Sequence, residues 1–205
     1  MFGYKTLIFV GVFSIHVNRH KKMRKIQGFT LIELMLTLTV AAIILGIAIP
    51  SFNQTMLNNS SASLGSELSV ALNYARSEAV KRAKRVSICA SDNGTSCLAI
   101  NNWDKGWLVF VDDAATDAAA AVTVGTVLRY WDELPFSTQV SALKGTATNI
   151  AFLRFTSSGT VARTGATDAD PRKFIVYVDG CEGKASVNIA VGLSGMISPQ
   201  RIDCP

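Results

Sequence analysis

A chain of 205 residues is long enough for one domain of ordinary size and an additional segment. Its net charge of +5 arises in the first 28 residues, which hold six of the 20 lysines and arginines and no acidic residue. The rest of the chain carries 14 basic and 15 acidic side chains, which excludes a strongly basic nucleic-acid-binding domain. Both histidines, His16 and His20, lie in the same leader, so a chain cut after residue 28 lacks the commonest general base and metal ligand.

Residues 29–49 form an apolar run that is long enough to span a bilayer as a helix, for which about 20 residues are needed. We therefore expect a single-pass inner-membrane protein, although a buried core helix is the alternative interpretation. Cations just before the run place its start in the cytoplasm and the C-terminal domain in the periplasm. These cations are Lys21, Lys22, Arg24 and Lys25.

The order of signals differs from that of an ordinary secretory signal, in which the cleavage site follows the apolar stretch. Here Gly28 precedes the apolar stretch, and Glu33 is the only charge within it. A carboxylate at membrane depth needs a partner, and cleavage after Gly28 would supply one, the amine of Phe29 on the same or a neighbouring subunit. The alternative is a Glu33 side chain that reaches the aqueous interface.

Residues 28–34, Gly-Phe-Thr-Leu-Ile-Glu-Leu, resemble the prepilin signal of type IV pilins and type II secretion pseudopilins. The resemblance implies cleavage between Gly28 and Phe29 by prepilin peptidase, N-methylation of Phe29, and a role for Glu33 in assembly. A 28-residue leader is long for this superfamily, and initiation at Met23 would leave an ordinary one.

Helical periodicity continues beyond Pro50, which we expect to kink the helix because proline removes a backbone donor and clashes with the preceding turn. We predict one helix over residues 29–84, transmembrane over 29–49 and amphipathic over 50–84, with its second half lying on the domain. The predicted packed face is Leu57, Leu64, Leu68, Ala71, Ala75 and Ala79, and the predicted wet face is Asn58, Asn59, Ser60, Glu67, Asn73 and Glu78.

Four cations cluster at the predicted C-terminal end of this helix, where positive charge opposes the helix dipole. A phosphate-binding patch is the alternative interpretation. The four are Lys81, Arg82, Lys84 and Arg85.

After residue 85 the pattern becomes that of a β domain, residues 85–205. Short runs rich in Val, Ile and aromatic residues predict strands, and Gly-containing turns lie between or beside them. Residues 112–121 are rich in Ala and Asp without periodicity, which predicts a loop. The predicted strands are 86–90, 107–111, 122–131, 150–155, 173–178 and 185–191.

The even number of cysteines suits an oxidising compartment. Four cysteines allow three pairings, and we prefer the local one, Cys89 with Cys97 and Cys181 with Cys204. A zinc site is the alternative, but the spacing lacks a Cys-x-x-Cys pair.

Residues 75–82, 86–91, 103–110 and 127–129 resemble the GspH/FimT family of minor pseudopilins and minor pilins, FimU-like proteins included. The resemblance implies an α+β pilin fold, in which a long N-terminal helix packs on an antiparallel β-sheet domain. It implies a subunit that helps to assemble or prime a type IV pilus or a type II secretion pseudopilus, and the FimT-like segments slightly favour the pilus. The implied partners are other pilins or pseudopilins, prepilin peptidase and the inner membrane.

DNA capture, as in some FimT-like minor pilins, is the alternative function. The tail of those proteins carries a Gly-Arg-x-Arg-like motif, whereas residues 192–201 here contain Arg201 as their only cation. Candidate DNA contacts are Lys81, Arg82, Lys84, Arg85 and Arg201.

A membrane-anchored enzyme is the third hypothesis, and the sequence disfavours it. The processed chain has no histidine, no Gly-rich phosphate loop and no motif that arranges a nucleophile with a base. We therefore expect no enzymatic activity, no cofactor and no metal site.

Overall fold

The computed structural model describes residues 28–98, 103–132, 134, 137–146, 148–163 and 168–205, without the side chain of Pro50. Residues 1–27 of the predicted 1–28 leader, and with them the alternative start at Met23, lie outside the described residues. The chain divides into two compact units, Met1–Ile43 and Ile44–Pro205. The second unit contains both the amphipathic part of the helix and the β domain.

Helix α1 (Leu31–Arg82) has 52 residues and begins and ends within two residues of the predicted bounds. It continues through residue 50, so Pro50 does not end it. At its C-terminal end, the amides of Ala83 and Lys84 donate to the carbonyls of Val80 and Ala79, both at 3.2 Å. Ala83 has a φ of 51°, so this end is a Schellman motif with alanine where glycine is usual.

The β domain consists of two antiparallel sheets, with a short 3₁₀ helix (Trp103–Lys105) before β2. The strand order is β3-β2-β1-β6 in the first sheet and β5-β4-β7-β8-β9 in the second. The strands are β1 (Val86–Ala90), β2 (Trp107–Asp112), β3 (Val124–Trp131), β4 (Thr138–Lys144), β5 (Thr148–Asn149), β6 (Phe152–Phe155), β7 (Arg172–Val178), β8 (Ser186–Val191) and β9 (Ile197–Ile202).

The predicted α+β architecture is confirmed: a long apolar N-terminal helix is followed by antiparallel sheets. All six predicted strands are present. Of the predicted loop over residues 112–121, residues 113–121 contain no helix or strand, whereas Asp112 is the last residue of β2. Three strands, β4, β5 and β9, were not predicted. β5 has two residues, and β9 is an edge strand that contains Pro199 and exposes its middle residues, so its sequence lacks an apolar run.

The main core lies between one face of α1 and both sheets, and it includes the fully buried side chains of Leu68, Leu72, Phe155 and Phe174. Strand β7 contributes alternate residues, because successive side chains of a strand point to opposite faces. Of the predicted packed face, Leu57 is partly buried and the other five residues are buried.

Two residues of the predicted wet face are wrong. Asn58 is partly buried, and its Oδ1 accepts a hydrogen bond from the Glu182 amide of the β domain at 3.1 Å. Glu78 is only 7% exposed, and its carboxylate accepts a hydrogen bond from Arg82 Nε at 2.6 Å. Glu78 lies beside the buried Ala79 at the margin of the packed face, where cations three and four residues further along can neutralise it. Hydrophobic periodicity alone does not account for such a pair.

The first sheet is covered on both faces. In β1, Val86, Ile88 and Ala90 join the main core, whereas Cys89 belongs to a second, smaller cluster with Leu108 and Phe110. The alternation of these residues places the two clusters on opposite faces of the sheet. The domain therefore has no solvent-exposed face along β1 and β2, all of whose residues are buried.

Candidate functional site

The predicted cleavage site lies just before the helix. The Phe29 side chain is 79% exposed, and no heavy atom lies within 4 Å of the position that a Gly28 Cβ would occupy. The described residues therefore leave the Gly28–Phe29 peptide bond accessible to another protein.

Thr30 caps the helix N-terminus. Its hydroxyl oxygen accepts a hydrogen bond from the Glu33 amide at 3.3 Å, and its carbonyl accepts from the Leu34 amide at 3.2 Å. Thr30-x-x-Glu33 is the sequence pattern of a capping box, so the motif that resembles a prepilin signal also starts the helix. Our sequence reasoning missed this function of Thr30, although the pattern was readable.

Glu33 lies in the first turn of α1, where a negative charge opposes the positive end of the helix dipole. Among the described residues, no lysine or arginine forms an ion pair with its carboxylate. The dipole contributes about 0.3–1 kcal/mol, whereas insertion scales put an ionised side chain at the bilayer centre at about 2.5–3.5 kcal/mol. In a membrane, Glu33 would therefore gain from a further positive partner.

The helix that follows is apolar on every side. The large apolar side chains of residues 31–49 are 49–77% exposed, and the helix is long and apolar enough to cross a membrane, with a mean hydropathy of 2.4 over its most apolar window. The hydroxyls of Thr37 and Thr39 donate to carbonyls one turn back, at 2.9 and 2.8 Å. Their polar groups are thus satisfied within the helix, as a lipid environment requires.

The four cations at the end of α1 are brought together, but three of them have acidic partners. Lys81 and Arg82 pair with Glu78, at 3.5 and 2.6 Å. Arg85 pairs with Asp117 at 3.0 Å and donates to the Ala114 carbonyl at 2.6 Å. These contacts favour the interpretation of the cluster as a helix terminus bound to the domain. Lys84 is exposed and lines a groove with Asp113 and Asp117.

Arg201, the fifth candidate DNA contact, lies elsewhere. It belongs to β9 and lines a groove with Ser66 and Ser69 of α1. Lys81 follows Ser69 by 12 residues, which is about 18 Å along a helix. The structure therefore does not combine Arg201 and the helix-end cations into one basic surface.

A buried ion pair, which sequence reasoning missed, organises the first sheet. Arg154 Nε donates to Asp112 Oδ2 at 2.7 Å, and the same oxygen accepts from the Ser87 hydroxyl at 2.7 Å. Both charged residues are 2% exposed. The other carboxylate oxygen accepts from the amides of Ala114 and Thr123, both at 3.0 Å.

Arg154 also holds the predicted loop. Its guanidinium donates to the carbonyls of Asp117, Ala119 and Ala121 at 2.8–2.9 Å. Burial acts to raise the pKa of Asp112, but the hydrogen bonds it accepts outweigh burial and its pKa is lowered. A lone arginine within an apolar strand sequence was the available signal, since a buried arginine is almost always paired.

A second ionic cluster lies at the other sheet. Arg172 binds both oxygens of Asp168, at 3.2 and 2.6 Å, and Lys144 contacts the same carboxylate at 2.9 Å. Arg154, Arg172 and Lys144 line a cavity of about 350 Å³ beside β5 and β6. Each of these cations already has a carboxylate partner, so their charges are compensated within the domain.

The four cysteines form the two local disulfides, Cys89–Cys97 and Cys181–Cys204. No thiolate is therefore available for the alternative zinc site. Within the described residues, no group of three or more potential metal-ligating side chains occurs.

Comparison with known families identifies the chain. A family model described as Type II transport protein GspH matches residues 65–195. The chain belongs to the GspH family. A second model, the prokaryotic N-terminal methylation motif, matches residues 23–49 and thus includes Gly28, Phe29 and Glu33. A search of curated proteins gave no match.

Solved structures of similar fold include the type IV minor pilin FimU of Pseudomonas aeruginosa. It has 23% sequence identity and a TM-score of 0.51, over 69% of this chain and 89% of that one. The minor pseudopilin EpsH from the type 2 secretion system of Vibrio cholerae has 10% identity and a TM-score of 0.46, over 68% of this chain and 94% of that one. The likeness to FimU confirms the pilin fold.

Two general properties follow for this GspH-family chain. The apolar helix and the methylation motif indicate that it is anchored in the inner membrane. Its family and fold are those of structural pilin proteins rather than enzymes.

Proposed function

We propose that this chain is a minor pilin or pseudopilin subunit that helps to assemble or prime a type IV pilus or a type II secretion pseudopilus. The observation that carries the proposal is the combination of Glu33 with a helix whose apolar side chains are exposed on all sides over residues 31–49. Such a helix must be covered by lipid or by other helices. In a subunit that moves from the membrane to a filament, this helix is covered first by lipid and then by the helices of other subunits.

The proposed assembly step is electrostatic. Prepilin peptidase cuts between Gly28 and Phe29, and the new N-terminal amine is methylated and keeps its positive charge. Glu33 then pairs with the amine of Phe29 on a neighbouring subunit, which neutralises two charges that are costly at membrane depth. Before assembly the helix start is cytoplasmic and the domain is periplasmic, in accord with the positive-inside rule.

Substitution of Glu33 tests this step. We expect Glu33→Gln to be processed and inserted in the membrane normally, but to be recovered in the filament fraction about tenfold less than wild type, a change that corresponds to about 1.4 kcal/mol. Glu67→Gln is the matched control, because Glu67 is an exposed acid on the same helix. Wild-type recovery of Glu33→Gln would contradict the pairing.

The mass of the membrane-extracted protein tests the processing. We expect a mature chain that starts at N-methylated Phe29, and the unprocessed chain in cells that lack prepilin peptidase. A mature chain that starts at another residue would remove the basis of the proposal. Deletion of the gene then separates the two machines, since loss of pili indicates a type IV pilus and loss of secreted enzymes indicates a type II system.

DNA capture is not proposed, because no observation favours it. The candidate contacts Lys81, Arg82 and Arg85 are engaged by carboxylates of the same domain. Non-specific DNA affinity requires lysines and arginines that are free to neutralise phosphates, and these three are already paired with carboxylates.

A further inference from the structure

A short stretch of α1 binds the turn between β7 and β8 through backbone atoms of the turn. Gln54, Leu57, Asn58 and Ser61 are spaced three and four residues apart, so they lie on one face of the helix. We call residues 178–182 the β7–β8 turn. Gln54, Asn58 and Ser61 form hydrogen bonds with it, and Leu57 Cδ1 lies 3.6 Å from the position that a Gly180 Cβ would occupy.

The hydrogen bonds of this contact surround one residue, Cys181. Gln54 Nε2 donates to the Gly180 carbonyl at 3.1 Å, and Asn58 Oδ1 accepts from the Glu182 amide at 3.1 Å. Gln54 and Asn58 are also hydrogen-bonded to each other at 3.2 Å. The helix thus binds the two peptide groups that flank the Cys181 Cα, and binding depends on the conformation of the chain at that residue.

A buried hydrogen bond adds to the contact at the end of β7. The Val178 amide donates to Ser61 Oγ at 2.9 Å, and the Ser61 hydroxyl donates to the Leu57 carbonyl at 3.0 Å. Ser61 is fully buried, so loss of this bond would leave a buried donor without a partner.

The C-terminal tail holds the turn from its other side. Cys181 is bridged to Cys204, and the Cys204 amide donates to the Gly183 carbonyl at 2.9 Å. The disulfide is thus a covalent cross-link between tail and turn, and hydrogen bonds join the turn to the helix.

We propose that the Cys181–Cys204 disulfide is a redox-sensitive restraint that fixes residues 54–61 of α1 to the β domain. When the bridge closes, the two thiols lose two electrons and two protons to a disulfide oxidant, which becomes a dithiol. When a dithiol reductant returns two electrons and two protons to the bridge and itself becomes a disulfide, the tail leaves the turn, and Gly180 and Glu182 lose the conformation that Gln54 and Asn58 bind. This inference does not depend on the proposed function.

The second disulfide provides an internal comparison. The loop closed by Cys89–Cys97 is held by its own side chains, chiefly Asn93 Oδ1, which accepts from the amides of Thr95 and Ser96 at 2.9 and 3.0 Å. Outside the loop, the Ser91 amide donates to the Gly106 carbonyl at 3.1 Å, and Cys89 and Ala90 pair with β2, so the loop is attached to the first sheet. Loss of this bridge should therefore not affect residues 54–61.

Hydrogen exchange on the full chain in detergent micelles tests the restraint. In Cys181→Ser/Cys204→Ser, we expect amides of residues 54–61 to exchange about tenfold faster than in wild type. In Cys89→Ser/Cys97→Ser, we expect wild-type exchange in the same residues. Unchanged exchange at residues 54–61 in the first variant, or equal acceleration in both, would overturn the proposal.

A reciprocal experiment keeps both disulfides in the sequence. Coupling between two sites acts in both directions, so a helix that cannot bind the turn should make the bridge easier to reduce. In Gln54→Ala/Asn58→Ala, we expect the dithiothreitol equilibrium of Cys181–Cys204 to shift about tenfold toward the thiols, measured by alkylation and mass spectrometry. Cys89–Cys97 should not shift.

Asn59→Ala is the matched control for this experiment, since Asn59 is a neighbouring exposed residue of the same helix. It should leave both equilibria unchanged. A Cys181–Cys204 equilibrium that is the same in Gln54→Ala/Asn58→Ala and wild type would show that the helix and the bridge are not coupled.

Discussion

Two stretches of α1 differ in how much of their apolar surface the β domain buries. Over residues 31–49 the large apolar side chains are exposed on every side of the helix, as at Leu38, which is 61% exposed. Over residues 57–82 one face is buried against the β domain, as at Leu68, which is fully buried, and the opposite face is wet. One continuous helix thus has two surfaces with different partners.

The difference shows which partner each stretch can have. An apolar surface without a polar side cannot rest on a soluble domain alone, so the first stretch must be covered by lipid or by other helices. The second stretch carries small residues at its contact, among them Gly65, Ala71, Ala75 and Ala79, which let the helix approach the sheets closely. In the proposed function the first stretch serves anchoring and assembly, whereas the second contributes to the stability of the domain.

Truncation of a leucine in each stretch gives the largest expected difference. Leu68→Ala should lower the free energy of unfolding of the domain by about 2–5 kcal/mol, because it removes buried methyl groups and leaves a cavity. Leu38→Ala should leave that free energy unchanged. The measurement is urea unfolding in micelles followed by tryptophan fluorescence, since all three tryptophans are buried in the domain. Equal effects of the two substitutions would contradict the division of the helix.

The helix was predictable from the sequence because both of its signals are local. An unbroken apolar run and a repeat of three and four residues can each be read within a few turns, and the observed bounds differ from the predicted ones by two residues at each end. Strand β4 was missed because its buried residues, Thr138, Val140 and Ala142, alternate with polar ones and include few large apolar side chains, and β9 was missed because its residues are partly or fully exposed. Their place in the sheet depends on pairing with β7 and β8, which local sequence does not encode.

Glycine positions provide a second comparison between the stretches. A Cβ on Gly65 would lie 2.6 Å from Val187 Cβ and within 2.8 Å of both its methyl carbons, and a β-branched side chain cannot turn all three away. Overpacking should outweigh the gain in helix propensity, so Gly65→Ala should lower the free energy of unfolding by about 1–2 kcal/mol. The same urea unfolding measures it.

Gly46→Ala is the matched control, because nothing lies within 4 Å of its Cβ position in the described structure. It should leave the unfolding of the domain unchanged. The double variant Gly65→Ala/Val187→Ala should lose less stability than the sum of its single variants, since the substitutions relieve the same contact. Additive losses would mean that Val187 is not the cause.

The candidate site was predictable where its residues are adjacent in sequence. Gly28, Phe29 and Glu33 lie within six residues, and the methylation-motif model includes them. Asp112 and Arg154 are 42 residues apart, so their pairing depends on the β1–β2 and β1–β6 registers, which the sequence does not show. Glu78 was placed on the wrong face because periodicity does not register the cations that compensate its burial.

The smallest expected effect is on the pH dependence of domain stability, and it distinguishes Glu78 from Glu33, both of which lie on α1. The hydrogen bond from Arg82 lowers the pKa of Glu78 from its ordinary value of 4.5, with a further contribution from Lys81. Because the folded state favours the carboxylate, the stabilisation is complete above about pH 4.5 and is lost as the pH falls through the lowered pKa. Asp112, whose pKa is also lowered, adds a loss of the same sign at lower pH.

We therefore expect the urea midpoint of the wild-type domain to fall between about pH 6 and pH 3, and to fall less in Glu78→Gln because one contributing carboxylate is absent. At about pH 6, Glu78→Gln should be less stable than wild type, since Arg82 and Lys81 lose their partner. Glu33→Gln should retain the wild-type profile, because residue 33 belongs to the other compact unit. A Glu78→Gln profile parallel to that of wild type would mean that the Glu78 pair is as solvated as a surface ion pair. The packed stretch of the helix would then be held by its apolar contacts alone.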